Sequence, residues 1–243
     1  MSVATRLPSS GFADSTNSQF PSRVARYGEA GVVPYAFGMA GNAQEGSLFV
    51  CCNATLATGI AGHAAPVVAD TDTKPFLHLF NAATNTKDII PLYLLLEVTA
   101  AGTAGTIQYG VQYIEGTGGV TLRASGGTQL TPVNASTAAA NTTGATVYAG
   151  AVVATTSANN RKVGQQIIRE VIPVVQDTIA VDWTGGSNLF HSALTTAGTA
   201  TNHTYLAMPS VCITPGGNFN FSMIRPSQSA AASYQIQFAY LER

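Results

Sequence analysis

The chain has 243 residues, enough to bury a sizeable core in one large β domain or two small ones. Only 9% of them are charged, against about 25% in an ordinary soluble protein, and the formal net charge is −1. That balance gives no electrostatic reason to expect a nucleic-acid partner, and it leaves a surface of Thr, Ser, Asn, Gln, Gly and Ala. A lone monomer usually carries charges to stay soluble and unassociated, so this composition points to a surface covered by partners or held outside cells.

Residues 1–30 differ from the rest. They hold Arg6, Arg23 and Arg26, the isolated aromatics Phe12, Phe20 and Tyr27, and no clean periodicity. They read as a tail or as an extended arm laid across a neighbouring subunit, with these six residues as its partner contacts. A segment that orders on binding can cover a large surface. Met1–Phe20 has no apolar core segment of a secretory signal. The longest strongly apolar run, Ile89–Val98, is about half of what a helix needs to cross a bilayer. A soluble protein made in the cytoplasm and not exported by a cleaved signal, with no membrane partner, is the expectation.

Strand candidates follow at Val32–Phe37, Ser47–Asn53 and Phe76–Phe80, with Gly41-Asn42 as turn material. Leu92–Val98 and Ile107–Glu115 read as a hairpin around a loop of small residues, and Val120–Arg123 as a short strand. Residues 124–146, rich in Ala, Ser, Thr, Asn and Gly, read as a long surface loop because they carry too little apolar area to drive folding. Thr146–Thr155 resumes as a strand. Arg161–Val171 hints at a helix through Val163, Ile167, Ile168 and Val171. Pro173 breaks a helical continuation, so a strand is at least as good a reading.

Thr178–Trp183 and His203–Met208 are further strands. The C-terminal stretch alternates twice. Phe219, Phe221 and Met223 stand against Asn218, Asn220 and Ser222; then Tyr234, Ile236, Phe238 and Tyr240 stand against Gln235, Gln237 and Ala239. Period-two alternation marks one buried face, and the pair reads as a second hairpin, related to the first by duplication or by chance. About a dozen short strands between turn signals suit an all-β, antiparallel β-sandwich or jelly roll. The expected division is an N-terminal arm, 1–30, and a sandwich domain, 31–243. Two smaller halves divided near 124–146 are the alternative.

The residues that carry chemistry are scattered. His63, His78, His191 and His203 lack metal-ligand spacing, since zinc needs three or four converging ligands, and His78 reads as a core or interface residue. Asp70-Thr71-Asp72 lacks the rest of a calcium loop. Asp177, Asp182, Glu97 and Glu115 have no spacing that supports a glycosidase pair, and Glu97 and Glu115 read as strand-end groups facing water. There is no nucleophile elbow and no phosphate loop. No catalytic residue, metal or cofactor is expected. Cys51, Cys52 and Cys212 read as free, buried cysteines. Trp183, the single tryptophan, reads as a core plug, or as a sugar platform if exposed.

Pro215-Gly216-Gly217, a strand, Arg225-Pro226-Ser227-Gln228-Ser229 with its small-residue loop, and a last aromatic strand ending Leu241-Glu242-Arg243 together resemble the C-termini of small virion proteins from tailed bacteriophages. The charge-poor Ala/Thr/Gly-rich body is similar in composition. The resemblance implies a non-enzymatic, β-rich, oligomeric structural protein. The form it implies first is a capsid decoration (cement) protein bound to the major capsid protein and to itself as a trimer or dimer. A neck or tail component, or a carbohydrate-binding sandwich module, are the alternatives.

Overall fold

The computed structural model describes residues 42–43, 45–53, 55, 58–68, 71–103, 107–115, 123–137, 141–155, 160–171, 173–184, 203–225 and 228–243. Residues 1–41, which include the expected arm and the Val32–Phe37 strand, lie outside them. Strands carry nearly all the regular structure. In chain order they are β1 (Leu48–Cys52), β2 (Ile60–Ala61), β3 (Leu77–Asn81), β4 (Ile89–Ala100), β5 (Ile107–Glu115), β6 (Arg123–Leu130) and β7 (Pro132–Asn134). They continue as β8 (Ala145–Ala154), β9 (Asn160–Val171), β10 (Thr178–Asp182), β11 (His203–Ala207), β12 (Asn218–Ile224) and β13 (Ser233–Glu242). Among the described residues, no helix is long and apolar enough to cross a membrane.

The strands form two sheets. The first runs β11-β10-β4-β13-β1-β7, with β2 on β13 beyond the end of β1; the second runs β6-β8-β3-β12-β5-β9. The pairing has a simple plan. β1 pairs with β13, β3 with β12, β4 with β10 and β5 with β9, all antiparallel. Those eight strands form one long antiparallel ribbon, first with last and fourth with fifth. The contacts β4·β13 and β5·β12 then roll the ribbon up into two sheets.

Alternation in the sequence decides which side chains face inward. Leu94, Leu96 and Val98 of β4 and Tyr234, Ile236, Phe238 and Tyr240 of β13 meet Leu77, Leu79, Val147, Phe219, Phe221 and Met223 of the second sheet in one buried cluster. Its members come from both sides of the 124–146 segment. Two sheets closed on a shared core make the molecule sandwich-like. Trp183 fills the middle of that core. Its ring meets Phe219 and Phe221 of the second sheet at 5.3 and 6.0 Å and Phe238 of the first at 6.2 Å, each edge to face. Perpendicular contacts set the positive ring edge on a negative face. The core-plug reading of Trp183 therefore holds, and with 1% of its surface exposed it cannot serve as a sugar platform.

Four expectations need correction. First, neither hairpin is one: β4 and β5 lie in different sheets, as do β12 and β13. Alternation reports which side of a strand is buried but not which sheet the strand joins. The crossing after β12 is fastened by buried Arg225, whose guanidinium donates to Gln228 Oε1 at 2.7 Å and to the carbonyls of His63 and Ala65. Second, the 124–146 stretch is not one loop. It carries most of β6 and all of β7. β6 is an exposed edge strand that needs backbone partners more than apolar side chains. Gly126 and Gly127 take φ values of 71° and 69° where the β6·β8 register slips. A Cβ on Gly126 would fall 2.2 Å from the Ala151 carbonyl oxygen, so only glycine fits there.

Third, β10 and β11 run parallel, an exception to the antiparallel expectation. The 20 residues between Asp182 and His203 suffice for the crossover that parallel pairing requires. Fourth, of the three cysteines only Cys51 is buried; Cys52 and Cys212 are exposed. Strand alternation turns Cys51 inward and its neighbour outward. The segment 161–171 is strand β9, not a helix, in keeping with Pro173.

β4 also carries two irregularities against β13. Tyr240 opposes Pro91 while Ala239 opposes Tyr93, so Leu92 has no opposite number; Thr99 is skipped likewise. The bulge at Leu92 switches the side on which β4 presents its side chains. Ile89 and Leu94 both reach the inner core, whereas Ile90, Leu92 and Tyr93 join a smaller apolar cluster with Leu48, Val50, Ala239, Leu241 and Ala43 on the outer face. The bulge also accommodates Pro91, which has no N–H for a ladder.

Truncating Trp183 to alanine should lower unfolding free energy by about 3–5 kcal/mol. Chemical denaturation followed by tyrosine fluorescence and circular dichroism measures this. A loss below 1 kcal/mol would show that the aromatic cluster does not hold the sheets together.

Candidate functional site

The outer face of the first sheet is ordered in rows that the strand registers define. One row runs Tyr205, Ala180, Leu95, Gln237, Cys52 across five strands, β11 to β1. The row on one side runs Ala207, Asp182, Tyr93, Ala239, Val50; on the other side Thr178 pairs with Glu97 and Glu97 with Gln235. Beyond Val50 the face ends in the apolar cluster of Leu48, Leu92 and Leu241. The platform thus grades from an apolar end, near Asn42 and Ala43, to an open polar end.

At the polar end lies a groove of about 320 Å³ lined by Cys52, Asn53, Leu95, Glu97, Gln235, Ile236 and Gln237. Glu97 is exposed, and Leu95, Gln235 and Gln237 are half-buried. Asn53 braces one wall by acting as an extra strand residue. Its Oδ1 accepts from Ile236 N–H at 2.8 Å, and its Nδ2 donates to the carbonyls of Thr58 and Tyr234 at 2.8 and 3.2 Å. On the floor, Gln237 Nε2 donates to Tyr93 Oη at 2.8 Å. Burial pushes the Tyr93 phenol up, partly offset by that bond.

Farther along, Tyr205 Oη donates to Asp182 Oδ2 at 2.7 Å, while Asp182 Oδ1 accepts from the Thr184 N–H at 2.7 Å and from its hydroxyl. Burial and then the carboxylate beside it push Tyr205 up to about 12. Asp182, with none of its surface exposed, is thus committed to holding Tyr205 and the turn after β10. Asp177 Oδ2 likewise accepts from Val174 N–H at 2.7 Å, closing the turn before β10.

The thiols are shifted away from reactivity. Burial, and then the neighbouring Cys52, push Cys51 up to about 12; burial raises Cys52 and, with Asp88, Cys212. A raised pKa leaves little thiolate, the reactive form, at neutral pH. Among the described residues, no three His, Cys, Asp or Glu side chains gather as metal ligands would.

Of the residues singled out from the sequence, Arg6, Phe12, Phe20, Arg23, Arg26 and Tyr27 lie outside the described residues, as do His191 and Asp70. Asp72 accepts a hydrogen bond from Asn160. Glu97 faces water, as expected, though from within β4 and not from its end. His78 is a core residue on β3. It is 1% exposed, with Nδ1 2.6 Å from Asn220 Oδ1, next to Tyr148, whose ring Arg123 covers at 3.9 Å. Burial, the leading cause, and the charge of Arg123 hold His78 below its ordinary value despite the Asn220 bond. Asn53, Gln235, Gln237 and Tyr205 were not foreseen as a set. The alternation flagged both glutamines as non-core positions, but their convergence with Asn53 depends on pairing across 183 residues.

Comparison with protein-family models, curated proteins and solved structures found no match.

Asn53→Ala should cost about 1–3 kcal/mol, because it strands buried-side partners on β13, whereas Glu97→Gln on the same groove should change stability by less than about 0.5 kcal/mol. Urea midpoints of the two variants measure the difference. His78 supplies a pH test. Its folded pKa lies below the unfolded 6.5, so its stabilising share is complete above that value and is lost as pH falls through the folded one. Unfolding midpoints of the wild type and His78→Asn, compared from about pH 7 down to about pH 5, should converge as acid is added. A parallel fall in both would show that His78 is not the group responsible.

Proposed function

We propose that the chain is a jelly roll serving as a non-enzymatic structural protein of a phage virion. In this reading it is a decoration protein on the outer capsid, bound to the major capsid protein and to copies of itself. The observation that carries the reading is the strand plan. The eight-strand ribbon closes into β1-β13-β4-β10 facing β3-β12-β5-β9, an order that suits the two four-stranded sheets of a jelly roll, a fold found in viral capsid and lectin domains. A shared fold does not fix a function; composition and the C-terminal resemblance weigh toward the virion.

A face whose fixed rows are mostly uncharged side chains suits docking against other protein, where few charges have to be desolvated. Burial of the single tryptophan removes the best aromatic for the lectin reading. In the proposed role, each copy bridges neighbouring subunits and opposes the outward pressure of packaged DNA. Many modest contacts on one particle add up through multivalency. Residues 1–30 act as the arm, with Arg6, Phe12, Phe20, Arg23, Arg26 and Tyr27 as contacts on the adjoining subunit.

Quantitative mass spectrometry of purified particles tests this. Hundreds of copies per particle fit a head decoration protein, a single ring's worth moves it to neck or tail, and absence from the particle overturns the proposal. Deleting residues 1–30 should leave the circular dichroism spectrum and unfolding midpoint of the body unchanged but weaken particle binding. Undiminished binding would remove the arm from the contact.

A further inference from the structure

Resting on the reading of residues 1–30 as an arm, we propose that the groove of Cys52, Asn53, Leu95, Glu97, Gln235 and Gln237 is the seat for the N-terminal segment of a second copy of this chain. Three features support that occupant.

The first is reach. The described chain starts at Asn42, beside the apolar end of this face. There the Asn42 carbonyl accepts from Ser47 Oγ at 3.1 Å, and Arg243 donates to the Asn42 side chain. Residue 42, to which that segment is joined, thus sits at the edge of the platform itself. Fully extended, they could span about 135 Å at roughly 3.3 Å per residue. The groove lies only about 20 Å from the exit, six residues along β13 from Leu241 to Gln235 at about 3.3 Å each. The segment has length to spare for a neighbour's platform.

The second is chemistry. Residues 1–41 carry Arg6, Arg23 and Arg26 against Asp14 and Glu29, so the segment is weakly basic in a chain poor in charge. The exposed carboxylate in the groove is Glu97. Its floor is Leu95, which suits an aromatic such as Phe12 or Phe20 lying flat. Gln235 and Gln237 line the groove with amide side chains, whereas the Asn53 amide is spent on β13 and the Thr58 carbonyl.

The third is rigidity. The walls are strand residues locked by the bonds from Asn53 to β13 and from Gln237 to Tyr93. A preformed seat spends little of its binding energy on ordering itself. If every copy both gives and receives an arm, the contact is either reciprocal within a dimer or closes a ring.

Cys52 makes the seat testable in the purified protein, without particles. In a Cys212→Ser background Cys52 is the exposed thiol of the described residues. Donor chains carry Cys212→Ser, Cys52→Ser and one of Phe12→Cys, Phe20→Cys or Tyr27→Cys. They are mixed with acceptor chains carrying Cys212→Ser alone under mild oxidation at about pH 9, where enough of the raised Cys52 thiol ionises to react, and the disulfides are mapped by mass spectrometry. The expected result is a link between an arm position and Cys52 of another chain, with Glu97→Gln in the acceptor slowing its formation about two- to five-fold, the share an exposed ion pair supplies. Circular dichroism confirms that each variant is folded. Chains carrying the arm cysteine together with native Cys52 report the opposite case. A link confined to single chains, or no link from any of the three positions, overturns the proposal. The result does not depend on where in a particle the protein resides, so a failed virion assignment and a failed seat are told apart.

Discussion

The first sheet depends on the pairing of β13. β13 binds β4 on one side from Ser233 to Glu242, and β1 and β2 on the other. Remove it, and β1 with β7 separates from β4, β10 and β11. Its inner side chains, Tyr234, Ile236, Phe238 and Tyr240, also supply much of what the first sheet gives the core. Its outer ones, Gln235 and Gln237, line the groove. One strand therefore sets the sheet, its core face and its docking face together. That pairing joins segments far apart in sequence, an arrangement that folds slowly compared with local contacts.

The strands themselves were largely legible. Phe219, Phe221 and Met223, or Tyr234 through Tyr240, alternate so strictly that only a strand suits them, although β12 buries its polar positions Asn218, Asn220 and Ser222 as well. Sheet membership was not legible, because a hairpin and a crossing between sheets leave the same alternation and can share a loop of small residues. The stretch 101–106 and the stretch 226–232 both look like hairpin turns. β6 was missed for a different reason. Its sequence, RASGGTQL, has no apolar period, and the backbone ladder to β8 supplies what its side chains do not.

The platform was less legible than the core. Sequence reasoning looked for converging acids, imidazoles and thiols, and the structure gives those groups other employment. Asp177 and Asp182 close turns, His78 meets Asn220 inside, and Cys51 is enclosed. The groove is made of amides, two aliphatic side chains, one thiol and a single carboxylate, and Cys52 and Glu97 are too far apart in sequence to suggest that they share it. Only the register across β1, β13 and β4 brings them together.

The bulge at Leu92 has a consequence of its own. A strand has a two-letter reading frame, in which odd and even positions belong to opposite faces. From Ile89 to Leu96 every residue of β4 but Tyr93 is purely aliphatic or proline, so composition alone would accept either frame. The unopposed residue acts as a frameshift within the protein. It lets Ile89 and Leu94, five positions apart, face the same interior while Leu92 and Tyr93 both face out. Deleting this one residue would remove the bulge and leave Ile89 facing in and Ile90 facing out, opposite the same residues of β13, whereas forcing Leu92 into the regular ladder would transpose the upstream segment, turning Ile89 outward and Ile90 inward. Flattening the bulge with no residue lost would thereby exchange part of the core for part of the docking face without changing the chemical character of the strand.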